Sequence, residues 1–243
     1  REKMSLKDKR ALITGASSGI GAACAQALAE QGAQVILTGR NEAALEKIAE
    51  VTGGEAITAD LRDMADIERL FTQVGTHIDI LINNAGIAPK APIIDGDPAH
   101  FRELLEVNVL ALTRCTQLAL PMFDAQKGGH IINLSSMSGH RVPPSGGFYA
   151  ATKFAVRAVT EALRYELKAA DSRTRVATIS PGFVDTPLLD LYFKGSEEKL
   201  ETLREEIDML TPADIAAAVL HILQAPEHVE TGDIQLRPSG QGV

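Results

Sequence analysis

The segment TGASSGIG at residues 14–21 follows the apolar run RALIT of residues 10–14 and leads into a helical pattern over residues 20–31. Glycines in such a turn let the backbone bend tightly, approach a pyrophosphate closely and pack the helix against the strand. The helix N-terminus adds unpaired N–H groups and a partial positive charge. The segment therefore predicts a dinucleotide-binding turn, with an ordinary glycine-rich loop as the alternative when it is taken alone. The expected contact residues are Gly15, Ser17, Ser18, Gly19, Ile20 and Gly21.

Outward from this turn, short β-branched runs alternate with longer helical patterns along the chain. The alternation predicts an α/β fold, a doubly wound parallel sheet in one domain that spans residues 1–243. Several runs are apolar on successive residues, as is typical of parallel strands covered on both faces. The predicted strands are residues 10–14, 35–38, 56–59, 79–82, 130–134, 175–179 and 233–236. The main predicted helices are residues 20–31, 41–51, 64–73, 101–123 and 149–170.

One stretch, residues 186–210, departs from this rhythm. It begins with the apolar groups PLL and LYF and continues as a charged helical pattern. An insertion after the carboxyl end of a strand is the usual place for a loop that covers a ligand. We therefore expect residues 186–210 to form a substrate lid. The alternative is that its apolar residues pack against the protein itself or against a partner subunit.

The composition argues against several classes of protein. The net charge is −8 and no stripe of Lys and Arg is present, so we expect neither a nucleic-acid nor a membrane partner. No apolar run approaches the roughly 18 residues that span a bilayer, and a cytoplasmic protein is expected. Cys24 and Cys115 lie in helical patterns and are expected to be reduced core thiols, with no metal bound. Because Met4 has the form of a natural start, Arg1–Lys3 are expected to be residues added for expression.

The end of the second predicted strand bears on which dinucleotide is bound. NAD-binding proteins of this type usually place an acidic residue about 20 residues beyond the glycines, where it binds the ribose 2′-hydroxyl. Here the sequence reads TGRN at residues 38–41, with Arg40 and no acid. An arginine can make a charge-assisted contact with a 2′-phosphate. The sequence favours NADP(H), with NAD(H) left open because Ser18 supplies no second positive charge.

Candidate catalytic residues lie in the second half of the chain. Tyr149 and Lys153 are four residues apart and would share one face of a helix. A neighbouring cation favours the phenolate and is expected to lower the pKa of the tyrosine. A partly buried tyrosine beside an exposed lysine is the alternative for this pair alone. Ser136 follows a predicted strand, and Asn108 lies in a predicted helix. Polar residues after neighbouring strands converge on the ligand crevice of such sheets.

Together these motifs resemble the short-chain dehydrogenase/reductase family over nearly the whole chain. TGASSGIG, NNAG at residues 83–86, Ser136, YAATK at residues 149–153 and PG at residues 181–182 occur in the family's order and spacing. The resemblance implies a Rossmann fold with a central seven-stranded parallel sheet. It implies an oxidoreductase that transfers a hydride between a nicotinamide and a carbonyl or alcohol carbon.

The resemblance also implies roles for individual residues. Tyr149 would be the acid/base, and Lys153 would bind the nicotinamide ribose and lower the tyrosine's pKa. Ser136 would hydrogen-bond the substrate oxygen, and Asn108 would hold a water that links Lys153 to a proton relay. Asp60 and Leu61 would line the adenine pocket, and Asn83 would help to fix the adenine ribose. The remaining implied cofactor contacts are Ala85, Gly86, Pro181, Gly182, Val184 and Thr186.

The substrate is less closely indicated than the reaction. MSGHRVP at residues 137–143 and GDIQLRP at residues 232–238 resemble a subgroup with insect NADP-dependent farnesol dehydrogenases and animal reductases of hydrophobic ketones. A hydrophobic ketone is therefore expected, such as a ketosteroid, an α-dicarbonyl or a terpenoid. A 3-oxoacyl thioester reductase, a short 3-hydroxy-acid dehydrogenase and, remotely, a non-catalytic NADP-binding sensor are alternatives. The expected substrate-binding residues are Ser136, Ser138, His140, Tyr149, Phe183, Leu189 and Phe193.

The resemblance further implies a homodimer or homotetramer built on the two long helices that contain Asn108 and Tyr149. The predicted helix over residues 150–170 has more small and apolar positions than one core face requires, which is consistent with a second buried face.

Overall fold

Seven parallel strands form one sheet in the computed structural model, which describes residues 4–144 and 146–242. The strands are β1 (Arg10–Thr14), β2 (Gln34–Gly39), β3 (Glu55–Thr58), β4 (Ile80–Asn83), β5 (His130–Leu134), β6 (Arg175–Pro181) and β7 (Asp233–Leu236). Their order is β3-β2-β1-β4-β5-β6-β7. This confirms the doubly wound, seven-stranded Rossmann sheet that was expected. The expectation about Arg1–Lys3 falls outside the described residues.

Helices cover both faces of the sheet. They are α1 (Gly19–Glu30), α2 (Glu42–Thr52), α3 (Met64–Val74), α4 (Pro98–Leu105), α5 (Leu112–Ala119), α6 (Gly147–Ala169), α7 (Pro187–Tyr192), α8 (Glu197–Glu206) and α9 (Pro212–Leu223). The region predicted as one helix over residues 101–123 is interrupted. A π-helical segment, Glu106–Ala111, joins α4 to α5, and a 3₁₀ turn, Leu120–Met122, ends it. The proposed lid, residues 186–210, contains α7 and α8.

The core divides into two layers because side chains alternate across each strand. Leu12, on β1, pairs with Ile36 and Leu81 in register and points to the layer containing α3, α5 and α6. Ile13, the next residue, points to the layer containing α1 and α9. Both residues are fully buried. Strands buried on both faces explain the continuous apolar runs in the sequence.

The chain order reverses between β1 and β4, which creates a crevice at their carboxyl ends. Thr14 fixes these ends together. Its hydroxyl donates to the carbonyl oxygen of Ile82 (3.3 Å) and accepts from the backbone N–H groups of Asn84 and Ala85 (3.0 Å each). The glycine-rich turn after β1 and the NNAG segment after β4 are therefore held side by side.

Two further features bear on the expectations from composition. Cys24 and Cys115 are both buried and form no disulfide. Over residues 4–144 and 146–242, no helix combines the length and apolar character needed to cross a bilayer.

Candidate functional site

The glycine-rich turn leaves the start of α1 open. Ser18, before the first turn, has an extended backbone, and no side chain caps the helix N–H groups. By contrast, Asn41, Asp63 and Asp97 cap the starts of α2, α3 and α4 with side-chain oxygens. Uncapped N–H groups without an acid in the first turn are what an anionic group needs at a helix N-terminus.

At two positions of this turn, glycine is required for steric reasons. Gly15 has a φ of +66°, and a β-carbon there would lie 2.8 Å from the Cα of Ala85. A β-carbon on Gly21 would overlap the carbonyl oxygen of Gly15. Gly15 therefore lets the turn lie against the segment after β4 and lines the groove, whereas Gly21 lets α1 pack against the turn and does not itself line the groove.

A groove runs from this turn across the carboxyl ends of β2, β3 and β4. Of the expected cofactor contacts, it is lined by Gly15, Ser17, Ser18, Gly19, Ile20, Arg40, Asp60, Leu61, Ala85, Gly86 and Thr186. Backbone N–H groups at a helix start, small residues and a cation at one end fit a dinucleotide with a phosphate on its ribose. The residues present therefore fit NADP(H).

Charged residues mark the adenine end of this groove. Arg40 is exposed there, directly after β2. Asp60 forms an ion pair with Arg62 (2.5 Å). The hydrogen bond from Arg62 holds the pKa of Asp60 below its ordinary value, and the charge of Arg40 adds to this effect. The guanidinium of Arg40 has no ion-pair partner within 4 Å among residues 4–144 and 146–242, so it is available to an anionic group.

The side chain of Asn83 does not face the groove, contrary to the expected ribose contact. Asn83 is 3% exposed and its amide donates to Thr116 Oγ1 (3.1 Å) and Asn133 Oδ1 (2.9 Å). Its side chain lies beneath the groove. Asn84 faces the groove instead, and its amide donates to the carbonyl oxygens of Thr14 (2.9 Å) and Gly15 (3.1 Å). Alternation along β4 was the available signal, since Asn83 shares a face with Leu81 and its neighbour does not.

A second cavity adjoins the groove and contains Ser136, Tyr149 and Lys153. Ser136 lies just beyond β5, and Tyr149 and Lys153 lie one turn apart on α6. Tyr149 is 8% exposed. Burial raises the pKa of its phenol above the ordinary value, and a hydrogen bond with Ser136 lowers it in part. At neutral pH the tyrosine is therefore protonated and can act as an acid.

Lys153 is buried beside the tyrosine. Its Nζ lies 5.7 Å from the centroid of the Tyr149 ring and donates to the carbonyl oxygen of Leu134 (2.9 Å). Burial lowers the pKa of the ammonium group to about 8. The expected lowering of the tyrosine's pKa by Lys153 is not seen in this arrangement. Burial is the largest cause of the raised pKa of Tyr149, and the ammonium of Lys153 donates to a backbone carbonyl rather than to the phenol.

Asn108 lies in the π-helical segment beneath the active-site tyrosine. It is 1% exposed. Its side chain accepts from the N–H of Ile87 (2.9 Å) and donates to the carbonyl oxygen of Ile87 (3.0 Å) and to Thr152 Oγ1 (3.1 Å). Thr152 in turn donates to the carbonyl oxygen of Tyr149 (2.7 Å). Asn108 thus connects the loop after β4 to the turn of α6 that carries the tyrosine.

The wall of the second cavity is largely apolar. Its expected members Ser136, Ser138, Tyr149, Phe183 and Leu189 all line it, as do Pro181, Gly182 and Val184. Arg141 and Gln241 also line it, and Gln241 is not among the expected substrate contacts. The distance of Gln241 from the motifs along the chain left no local signal for it.

Two expected substrate contacts do not line this cavity. His140 is turned away toward β6 and β7, where its Nε2 lies 2.9 Å from Ser180 Oγ and 3.4 Å from Asp233 Oδ2. Phe193 packs behind the wall, against the rings of Phe183 (centroids 6.3 Å apart) and Tyr192 (5.3 Å). The hydrogen-bonding groups of His140 are satisfied there, and Phe193 is half-buried against the two rings.

Comparison with known proteins agrees with this geometry. A family model described as short chain dehydrogenase matches residues 9–197. Dehydrogenase/reductase SDR family member 11 of Bos taurus is 41% identical over 249 residues, covering 97% of this chain and 98% of that protein. The solved closed form of serine dehydrogenase complexed with NADP+ is 31% identical, with a TM-score of 0.90 and 96% of each chain covered.

A third relative, the alcohol dehydrogenase from the archaeon Thermococcus sibiricus complexed with 5-hydroxy-NADP, is 29% identical. Its TM-score is 0.81, with 98% of this chain and 99% of that chain covered. The two solved relatives share the fold, and both were solved with NADP+ or an NADP analogue. The chain belongs to the short-chain dehydrogenase/reductase family, as an oxidoreductase that acts on CH–OH groups and binds NAD(P)(H).

Proposed function

We propose that this enzyme uses NADP(H) to interconvert a ketone that has a hydrophobic body and the corresponding secondary alcohol. One observation carries the proposal. The cavity that contains Tyr149 and Ser136 is walled by apolar side chains and opens onto the groove that has Arg40 at its far end. The apolar wall includes Met137, Phe183, Val184, Leu188, Leu189 and Tyr192.

The bound nicotinamide would supply the hydride to the carbonyl carbon, or accept it from the alcohol. The protein's residues handle the oxygen and its proton. Ser136 Oγ would hold the substrate oxygen, and Tyr149 Oη would donate its proton to that oxygen during reduction. Because burial keeps the phenol protonated, the acid is present before the substrate arrives. In oxidation the same oxygen of Tyr149 takes the proton back.

Lys153 and Asn108 would support this proton transfer. The buried ammonium of Lys153 would stabilise the negative charge that Tyr149 acquires when it donates. Asn108 would position a water near Lys153 for proton resupply. The π-helical segment that carries Asn108 supports this role, since such segments are frequent at functional sites.

Replacement of Tyr149 by Phe tests the reaction. The variant should bind NADPH as the wild type does and lose turnover, because only the hydroxyl is removed. NADPH consumption would be followed by absorbance against a ketosteroid, an aromatic α-diketone, a terpenoid aldehyde and a 3-oxoacyl thioester. Turnover that survives in Tyr149→Phe would refute the proposed acid. Activity confined to the thioester would favour a 3-oxoacyl reductase.

The preference for NADP(H) over NAD(H) rests on Arg40 and can be tested separately. Charge-assisted hydrogen bonds contribute about 1.5–3 kcal/mol. Arg40→Ala should therefore lower kcat/KM for NADPH by about 10- to 100-fold while NADH is little affected. Arg62→Ala, which removes a nearby cation already paired with Asp60, is the matched control. Equal losses with both cofactors would contradict the assignment.

We also propose that the enzyme is a cytoplasmic homo-oligomer that associates through α5, α6 and the adjoining π-helical segment. Leu110, Phe154 and Tyr165 on these elements are 49%, 40% and 67% exposed, so the elements present large, mainly apolar side chains that a second copy would cover. Light scattering coupled to gel filtration measures the oligomeric state. A monomer at micromolar concentration would contradict the proposal.

A further inference from the structure

One end of the substrate cavity is formed by two segments far apart in sequence. Arg141 follows the 3₁₀ turn after β5, and its Nη2 donates to the carbonyl oxygen of Gly242 (2.6 Å). Gln241 Oε1 accepts from the N–H of Phe183 (3.0 Å). Gly182 permits this approach, because a β-carbon there would overlap Gln241 Oε1. The segment at residues 238–242 is thus closed against the loop after β6, and Arg141 and Gln241 both face the cavity.

Among the residues that the structure describes, no carboxylate offsets the positive charge at this end of the cavity. Among the described residues that line the cavity, Arg141 and Lys153 are cationic and none is acidic. Lys153 belongs to the catalytic group and donates to Leu134. Arg141 has no carboxylate within 4 Å in the described part of the chain, and its only hydrogen-bond acceptor there is the neutral carbonyl of Gly242. A half-buried guanidinium without a carboxylate partner, at the end of a largely apolar cavity, is suited to an anionic ligand group.

Gln241 adds a second hydrogen-bond donor at the end of the cavity where Arg141 lies. Its Oε1 is occupied by the N–H of Phe183, so the group left to face the cavity is its Nε2 amide. Within residues 4–144 and 146–242, that amide has no acceptor. The guanidinium and the amide therefore both present donors at the same end of a largely apolar wall. A substrate that is apolar throughout would leave these donors unsatisfied, at a free-energy penalty.

We propose that Arg141, assisted by Gln241, binds a carboxylate of the substrate, which is then an oxo acid or hydroxy acid with an apolar body. The inference rests on the proposed function, since it names the substrate class of the same site. A planar guanidinium can bind a carboxylate through two parallel hydrogen bonds. This would fix the substrate at one end while its carbonyl lies at Ser136 and Tyr149, and it makes Arg141 a specificity-determining residue.

A matched pair of substrates tests the assignment. The kcat/KM of an oxo acid with an aromatic body and of its methyl ester would be measured with NADPH in the wild type, Arg141→Met and Arg141→Lys. The wild type should prefer the acid. Arg141→Met should lower kcat/KM for the acid by about 10- to 100-fold more than for the ester. Arg141→Lys should restore part of the preference, because a cation is retained.

Arg157→Met is the control variant. Arg157 donates to the carbonyl oxygen of Gly139 (2.9 Å), close to Arg141 in the same loop, but does not line the cavity. The substitution removes one cation, its contact with Gly139 and its ion pair with Asp233 (3.8 Å), but no group that lines the cavity, so the acid-to-ester ratio should not change. A preference that falls equally in Arg157→Met and Arg141→Met, or a wild type that does not prefer the acid, would overturn the assignment.

A binding measurement separates failure of this inference from failure of the proposed function. The oxo acid would be titrated calorimetrically into protein saturated with NADP+, for the wild type and Arg141→Met. Binding that depends on Arg141 supports the inference even if no turnover depends on Tyr149, in which case only the proposed reaction fails. Equal binding by both proteins, or binding by neither, refutes the carboxylate site whatever the turnover shows.

Discussion

Replacement of Lys153 by Met should change how the stability of the cofactor-free protein depends on pH. Lys153 is 5% exposed, donates one hydrogen bond, to Leu134, and has no carboxylate within 4 Å among the described residues. Burial lowers the pKa of its ammonium group from 10.5 to about 8. Since one pKa unit corresponds to about 1.36 kcal/mol, the buried charge destabilises the folded protein by about 3 kcal/mol below pH 8.

The direction of the effect follows from proton binding. Below pH 8 both states hold the proton and the penalty is present in full. Between pH 8 and 10.5 the unfolded chain holds the proton more than the folded protein does, so the free energy of unfolding rises with pH. Met at this position has no charge to bury. The stability of Lys153→Met relative to the wild type should therefore fall by about 2–3 kcal/mol from pH 7 to pH 10.

Urea unfolding at both pH values, followed by circular dichroism, measures this difference. The lost hydrogen bond to Leu134 does not depend on pH, so it cancels when the two conditions are compared. Lys47→Met is the control, because Lys47 is exposed on α2 and its removal changes no buried charge. If the difference in free energy of unfolding between Lys153→Met and the wild type is the same at both pH values within about 0.5 kcal/mol, the buried ammonium is not destabilising and the prediction is refuted.

Other features give further predictions. Gly21→Ala should destabilise the protein by about 1–3 kcal/mol and weaken NADPH binding, because its β-carbon would overlap the carbonyl oxygen of Gly15; unchanged urea unfolding would contradict this. Cys24 and Cys115 should react with a thiol reagent only as the protein unfolds, since burial raises the pKa of both thiols to about 12; fast labelling of the native protein would refute it. Alcohol oxidation should rise with pH above neutrality, because burial raises the pKa of Tyr149 and oxidation needs its phenolate; a flat profile of kcat/KM would contradict this.

The sheet could be predicted because its signals are local. The predicted bounds of β1 (Arg10–Thr14), β5 (His130–Leu134) and β7 (Asp233–Leu236) agree with the structure to the residue. Each strand is a short apolar or β-branched run ended by a turn residue or a polar residue. The residues that determine where it ends are therefore its immediate neighbours in the sequence. The glycine-rich turn was equally accessible, because its requirement for small residues arises within a few residues of the chain.

The interruption of the helix between α4 and α5 could not be predicted from local signals. A π-helical turn inserts one residue into the helical repeat, and apolar side chains continue on both sides of Glu106–Ala111. Periodicity over a window of this length therefore indicates an unbroken helix. What holds the segment is the contact of Asn108 with Ile87, 21 positions away.

The errors in the substrate cavity have the same origin. His140 follows Ser138 closely, and its place in the loop suggested that it faces the substrate. Its partners Ser180 and Asp233 lie 40 and 93 positions further along the chain, and their contacts hold the imidazole ring on the side away from the cavity. Gln241 enters the cavity because Gly182 makes room for it. Contacts of this range depend on the assembled sheet, and nothing in the neighbouring sequence encodes them.

Burial of Tyr149 and Lys153, the proposed catalytic pair, determines the charge state of the resting site. Removing the tyrosine and the lysine from water disfavours the charged form of each, so the pKa of Tyr149 rises and that of Lys153 falls. At neutral pH the phenol is protonated while the ammonium, with a pKa of about 8, still carries its charge. The site thus holds a protonated phenol beside an ammonium group of lowered pKa, which is the state that the proposed carbonyl reduction requires. When Tyr149 donates its proton, the phenolate that forms would be a negative partner for the buried ammonium of Lys153. The two charges would therefore stabilise each other as the proton is transferred, and not in the resting site.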